Sequence, residues 1–164
     1  MYNHAPPDYV CPFCCLIQKI NCVDSHLHPS DIICQNDLVT AFVATRRFSN
    51  NPGHVLVIPN RHFENIFDLP VNLITNIHVL SRTVASAMKA AIHCDGILIR
   101  QHNEPAGGQH IWHYHLHVIP RYQNDEFFSS QKKSFPMLER AAYVQKLNDW
   151  ITNTERLCTE YRRF

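Results

Sequence analysis

The chain has 164 residues, of which 45% are hydrophobic and 18% charged, a composition typical of one compact domain and not of a disordered chain. The formal net charge is only +1, so no basic surface predicts a nucleic-acid partner, and no apolar run reaches the ~18 residues of a membrane span. Twelve histidines are many for this length, and histidine binds metals and acts as a nucleophile. These features favour a protein whose chemistry resides in a site.

The cysteines predict a reducing and hence cytoplasmic location. Seven is an odd number and a poor framework for disulfides. Residues 1–10 are polar, carry Pro6 and Pro7 and lack the apolar run of a signal peptide, so we predict an N-terminal tail. Cysteines without a metal-like spacing are expected to be buried and unpaired: Cys15, Cys22, Cys34, Cys94 and Cys158.

In chain order, the first strong patterns are strands. Runs rich in β-branched and apolar residues predict strands at 38–44, 54–58, 96–100 and 113–120. Residues 16–30 show no clear pattern. The polar, Gly- and Pro-containing stretches predict loops at 46–53, 103–109 and 123–134.

Two helices are predicted. The first begins with Asp68 as a possible cap and runs to about His93, because its apolar residues recur at helical spacing: Leu73, Ile77, Leu80, Val84, Met88 and Ala91. The second runs from Pro136 to about Cys158. Strands in neighbouring pairs around one long helix predict an α+β domain with an antiparallel sheet, with the domain at 11–122 and a C-terminal loop and helix extension at 123–164.

His113, His115 and His117 alternate with Tyr114 and Leu116. On a strand, side chains at this spacing share one face. Such a row can be a polar sheet face with solvated histidines, or a zinc site with an open position. It can also be a covalent centre, in which the middle imidazole attacks phosphorus while its neighbours bind phosphate oxygens.

The residues before this row favour phosphorus chemistry with His115 as the nucleophile. Gly107 and Gly108 let backbone N–H groups approach a phosphate. Asn103 adds an amide, and Arg121 after the row can add positive charge.

The run from Gly107 to Ile119 resembles the signature of the histidine-triad (HIT) family, and Pro52 to Pro59 resembles its second hallmark. The resemblance covers about residues 10–122. It implies an antiparallel five-stranded meander with one long central helix, and a homodimer that binds purine nucleotides. The residues Val118 to Tyr122 resemble the Fhit-like and bacterial branches more than the Hint branch, which favours dinucleoside polyphosphates over phosphoramidates.

The resemblance also implies roles for individual residues. His115 would take the nucleotidyl group, which water then releases, while His117 contacts the α-phosphate and His54 completes the phosphate environment. Asn103, Gly108 and Gln109 would bind the substrate. The residues expected to wall the base pocket are Ile32, Leu38, Phe42 and Ile58.

Two positions depart from the family pattern. His110 stands where the family usually has Ser or Thr near the leaving group, so it acts as an acid or phosphate donor or is a tolerated change. Arg46, or Thr45 after a one-residue insertion, replaces the usual ribose-binding Asp or Asn. These departures keep open a non-catalytic nucleotide-binding module. Four other histidines are expected at the surface or an interface: His4, His78, His93 and His102.

Cys11-Pro12-Phe13-Cys14 has the spacing of half a zinc site. A redox pair and two buried thiols are the alternatives, and no clear helix opens on the motif as a redox pair would require. The resemblance supplies two further ligands, His62 and His113, for a structural Cys₂His₂ zinc site. His113 would then have no free role in catalysis.

Overall fold

The computed structural model describes residues 2–22 and 25–161. In chain order the helices are α1 (Pro12–Gln18), a short 3₁₀ helix (Pro29–Asp31), α2 (Val71–Ala91) and α3 (Met137–Tyr161). The strands are β1 (Ile32–Gln35), β2 (Val39–Val43), β3 (Arg46–Phe48), β4 (Val55–Pro59), β5 (Gly96–Gln101), β6 (Leu116–Arg121) and β7 (Lys132–Ser134). None of the helices in these residues combines the length and apolar character that a membrane crossing requires.

Five strands form one antiparallel sheet in the order β1-β2-β4-β6-β5. The five-stranded α+β architecture expected from the sequence is confirmed. β2 and β4 are buried along their whole length because they lie inside the sheet and are covered on both faces.

Helix α2 packs on one face of the sheet through side chains that recur at helical spacing, among them Leu73, Ile77, Val84 and Met88. It begins at Val71 after Pro70 and ends at Ala91, so the predicted start at Asp68 and end near His93 were each wrong by about two residues. Pro70 explains the later start, because a residue before proline is pushed out of the helical region.

The other face of the sheet is covered by α1, which packs Phe13 and Leu16 against Phe42 and Ile58. This helix opens immediately after Cys11 with Pro12 in its first turn, so the expectation that no helix follows the Cys-x-x-Cys motif was wrong. Cys15 and Cys22 form a disulfide, contrary to the expected unpaired burial. Cys158 lies among residues whose side chains are not described.

Two predicted loops contain strands that pair with each other. β3 lies in the predicted loop 46–53 and β7 in the predicted loop 123–134, and together they form a two-stranded antiparallel sheet. Each is only three residues long, and Phe48 is the one apolar residue among the six, so neither shows the alternation that predicts a strand. Their backbone groups are instead satisfied by a partner strand 84 to 88 residues away in the sequence, since Arg46 pairs with Ser134 and Phe48 with Lys132.

The segment after residue 122 adds to the same core. Phe135, Leu147 and Ile151 are buried with the residues of α2 and the sheet. Arg140 of α3 forms a buried ion pair with Asp31, at 2.7 Å from Nε to Oδ1. The N-terminal residues also contact the domain, since the Ala5 N–H donates to Glu64.

Candidate active site and metal centre

Three buried histidines meet on the α1 face of the sheet: His54, His115 and His117. His117 lies on β6 directly opposite Leu56 of β4, and His54 immediately precedes β4. The Nε2 of His54 lies 2.9 Å from Nδ1 of His117, and the rings of His115 and His117 are 4.9 Å apart. The structure therefore brings together the three histidines that the resemblance assigned to the phosphate environment.

The orientation of His115 is fixed by the backbone. Its Nδ1 lies 2.7 Å from the carbonyl oxygen of His113. A carbonyl only accepts hydrogen bonds, so Nδ1 carries the proton and donates it. The other ring nitrogen, Nε2, therefore keeps its lone pair, which is the state a nucleophile needs.

Strand β6 begins at Leu116, so the predicted strand 113–120 was wrong over its first three residues. The His113 N–H donates to the carbonyl of Ile111, and the Tyr114 N–H donates to that of Phe63 at 2.6 Å. This departure from strand geometry turns His113 away from the other two histidines and toward the cysteines.

Burial keeps the histidines neutral. The pKa of His115 is lowered to about 4, mainly by burial and then by the charges of its neighbours, against the opposing effect of its hydrogen bond to the His113 carbonyl. Burial and then the nearby Lys132 lower the pKa of His54 to about 3. The pKa of His117 is also lowered, by burial first and then by His54. At neutral pH all three imidazoles are uncharged.

The loop before β6 is held by two of the predicted substrate-binding residues. Asn103 accepts a hydrogen bond from the Ile66 N–H at 2.9 Å. Gln109 is buried, donates to the Glu64 carbonyl at 2.6 Å and accepts from the Glu104 N–H at 2.9 Å. Their side chains therefore fix the shape of this loop.

The two glycines of the loop allow a backbone conformation that larger residues would not. Gly108 has a φ of +82°, a conformation that few other residues adopt. A Cβ on Gly107 would overlap the carbonyl oxygen of Asn103. The tight turn thus requires glycine at 107 for space and favours it at 108 for conformation.

His102 lies at this site although it was expected at the surface or an interface. It is half-buried, its Nδ1 lies 2.7 Å from the Gly107 carbonyl, and its ring is 5.4 Å from that of His117. Only the pairing of β5 with β6 brings it there, so no local sequence signal could have identified it. His110, in contrast, is exposed.

The apolar residues expected around a base divide into two groups. Ile32, Phe42 and Ile58 gather beneath α1, whereas Leu38 is exposed at 39% and lies outside this cluster. At the position expected for ribose binding, Arg46 begins β3 and is exposed.

The predicted zinc ligands Cys11, Cys14, His62 and His113 converge. Their ligand atoms all lie within 4.8 Å of one another, with Cys11 Sγ to His113 Nδ1 at 3.3 Å and Cys14 Sγ to His62 Nδ1 at 3.4 Å. Two sulfurs and two nitrogens are a donor set that suits tetrahedral zinc.

Two further observations support this fit. His113 Nε2 donates to the Pro59 carbonyl at 3.0 Å, so its Nδ1 lone pair faces the thiols. A hydrogen bond from Cys14 lowers the pKa of Cys11, against the effect of burial, and the bonds to His113 and His62 lower it further. The cluster thus favours a thiolate, the form that binds metal.

A buried histidine cluster on a five-stranded antiparallel sheet, preceded by a Gly-Gly-Gln turn, defines a histidine-triad protein. The family model described as HIT domain matches residues 26–124, which is more than half of the chain. The chain belongs to this family.

Individual relatives agree with this assignment. An uncharacterised HIT-like protein of Saccharolobus solfataricus is 32% identical over 142 residues, which cover 84% of this chain and 94% of the relative. The purine nucleoside phosphoramidase of Escherichia coli is 35% identical over 96 residues, covering 56% and 76%. The crystal structure of a zinc-bound histidine triad family protein from Mycobacterium smegmatis has the same fold, with a TM-score of 0.74 at 23% identity, covering 90% and 96%.

Proposed function

We propose that the chain is a nucleotide hydrolase or nucleotidyl transferase that attacks the α-phosphorus of a nucleoside 5′-phosphate derivative through His115. The observation that carries this proposal is the hydrogen bond from His115 Nδ1 to the His113 carbonyl, which leaves a neutral Nε2 free. Membership of the HIT family, which includes an E. coli relative named a purine nucleoside phosphoramidase, supports a purine nucleotide as the substrate.

In the first step, the lone pair of His115 Nε2 forms a bond to phosphorus. The bond from phosphorus to the leaving group breaks, and its electron pair departs with that group. In the second step, water attacks the same phosphorus, its proton passes to solvent or a nearby base, and the N–P bond breaks to return its electron pair to Nε2. The nucleoside monophosphate is released and His115 is regenerated.

The neighbouring side chains would stabilise charge on the phosphoryl oxygens. His117 and His54 are joined by a hydrogen bond of 2.9 Å, so a proton donated toward a phosphate oxygen by one ring is supported by the other. The loop that carries Asn103, Gly108 and Gln109 would present its backbone and amide groups to the phosphate. His110 is exposed beside this loop, where it would act on the leaving group.

The cysteine and histidine cluster would hold a structural zinc ion through Cys11, Cys14, His62 and His113. The metal would stabilise the segment before β6, whose His113 carbonyl orients the nucleophile. These four residues would fill a tetrahedral zinc site and leave no open position, which supports a structural role. The homodimer implied by the resemblance stays a prediction.

The test is the intact mass of the protein after brief mixing with diadenosine triphosphate or adenosine 5′-phosphoramidate. The reaction is stopped in alkaline denaturant, because N–P bonds hydrolyse in acid. We expect a mass gain of one adenylyl group in the unaltered protein and in the exposed control His78→Asn, and none in His115→Asn. An adduct or undiminished turnover in His115→Asn would refute the proposal, and nucleotide binding without adduct or turnover in any form would favour the binding module.

A further inference from the structure

A row of paired residues crosses the sheet through the candidate active site. Phe42 of β2 pairs with Leu56 of β4, Leu56 pairs with His117 of β6, and His117 pairs with Arg100 of β5. Directly paired residues present their side chains on the same face of a sheet. The row therefore passes from apolar residues beneath α1, through the histidines, to a cation.

A second cation joins Arg100 around the ring of Phe48. The Arg100 guanidinium carbon lies 5.4 Å and the Lys132 Nζ 5.3 Å from the centre of this ring. The same ring lies 6.1 Å from that of His54. Both cations are thus held next to the histidine cluster, on the side away from Phe42.

These two cations are not neutralised. Among the residues that the structure describes, neither has a carboxylate within 4.0 Å, whereas Arg47, Arg121 and Arg140 each have one. The Nε of Arg100 is also buried without a hydrogen-bond partner. Burial lowers the pKa of Lys132, and the charges of Arg100 and Arg46 lower it further. An anion bound between Arg100 and Lys132 would neutralise their positive charges and could accept a hydrogen bond from the unpartnered Nε of Arg100.

We propose that Arg100 and Lys132 form a subsite for an anionic leaving group, the phosphate chain that follows the α-phosphate of a nucleoside 5′-polyphosphate derivative. This inference rests on the proposed function. The strand order places an apolar cluster suited to a base on one side of His117 and these cations on the other, so a bound nucleotide would extend its phosphate chain toward β5.

The chemistry of departure gives the cations their role. When Nε2 of His115 attacks, the P–O bond to the next phosphate breaks and its electron pair stays on that oxygen. Negative charge therefore grows on the leaving phosphate, where two cations stabilise it. An amine leaving group needs a proton instead, so the subsite would distinguish phosphoanhydrides from phosphoramidates.

The test compares kcat/KM for diadenosine tetraphosphate and for adenosine 5′-phosphoramidate in Arg100→Gln and Lys132→Gln. Loss of either cation should lower kcat/KM about tenfold for the tetraphosphate and less than about threefold for the phosphoramidate. Matched controls are Arg82→Gln on the exposed face of α2 and Lys133→Gln, the neighbour of Lys132 in β7. Rising salt should reduce kcat/KM for the tetraphosphate more steeply, and this difference should shrink in the two subsite variants.

Each outcome decides between the two proposals. Equal losses for both substrates would show contact with the α-phosphate or a structural role, and would overturn the subsite while leaving the hydrolase intact. Unchanged kcat/KM for both substrates in Arg100→Gln and Lys132→Gln would also overturn the subsite and leave the hydrolase intact. Absence of turnover of either substrate by the unaltered protein would overturn the proposed function itself, and the subsite with it.

Discussion

His54 should make the folded protein sensitive to acid in a defined pH window. Its side chain is 4% exposed, and burial lowers its pKa from 6.5 to about 3. In the unfolded chain His54 takes up a proton below about pH 6.5, whereas in the folded protein it stays neutral until about pH 3. The unfolded state therefore binds more protons between these values, and stability is complete above pH 6.5 and falls as the pH is lowered.

The size of the effect follows from the width of the window. Each pH unit inside it costs about 1.4 kcal/mol for one group. From pH 7 to pH 5, His54 passes through about 1.5 units of this window, so its protonation in the unfolded state lowers the free energy of unfolding by about 2 kcal/mol.

The measurement is the free energy of unfolding by urea at pH 7 and pH 5 for the unaltered protein and for His54→Gln. We expect the unaltered protein to lose about 2 kcal/mol more than the variant over this interval, since the variant lacks the titrating group. His78→Gln, which changes an exposed histidine of α2, should match the unaltered protein. Identical pH dependence in the unaltered protein and His54→Gln would refute the assignment of His54 as a buried, neutral imidazole.

Two further predictions concern the metal centre and the buried ion pair. Elemental analysis should find zinc in the control variant Cys34→Ser but not in Cys14→Ser, and Cys14→Ser should also unfold at a lower temperature. Equal zinc content in the two variants would contradict the proposed ligands. Arg140→Met leaves the Asp31 carboxylate buried without its partner and should reduce the free energy of unfolding in urea by ~3–5 kcal/mol. Glu139→Gln breaks the more exposed ion pair with Arg47 and should reduce the free energy of unfolding by less than ~1 kcal/mol. Similar losses in the two variants would contradict the assignment of Arg140 and Asp31 as a buried ion pair.

Local sequence patterns predicted those elements whose buried side chains follow a regular spacing or a continuous apolar run in the sequence. Helix α2 shows its apolar face every three to four residues, and β2 and β4 are runs of buried, mainly apolar side chains. Strand β1 has only four residues with mixed burial, and β3 and β7 have three residues each with Phe48 as their one apolar side chain, so none of them carries such a pattern. Their existence depends on partners distant in sequence.

The candidate site shows the same division. The spacing of the triad and the Cys-x-x-Cys motif predicted groups that the structure brings together. The spacing did not predict that His113 turns away before the strand begins. His102, Arg100 and Lys132 carry no motif, because strand pairing alone brings His102 and Arg100 beside His117 and Lys132 against Phe48.

His113 links the two centres through different atoms, and this has a consequence for how such a chain can diverge. Its imidazole faces the thiols, while its backbone carbonyl accepts the hydrogen bond from His115. The carbonyl is present whatever residue occupies position 113. Descendants of this chain can therefore exchange the candidate metal ligands for other packing that holds the same backbone position, and keep the orientation of the His115 ring. Position 115 has no such freedom, because no other side chain combines a ring N–H that donates to this carbonyl with a second ring nitrogen that keeps its lone pair.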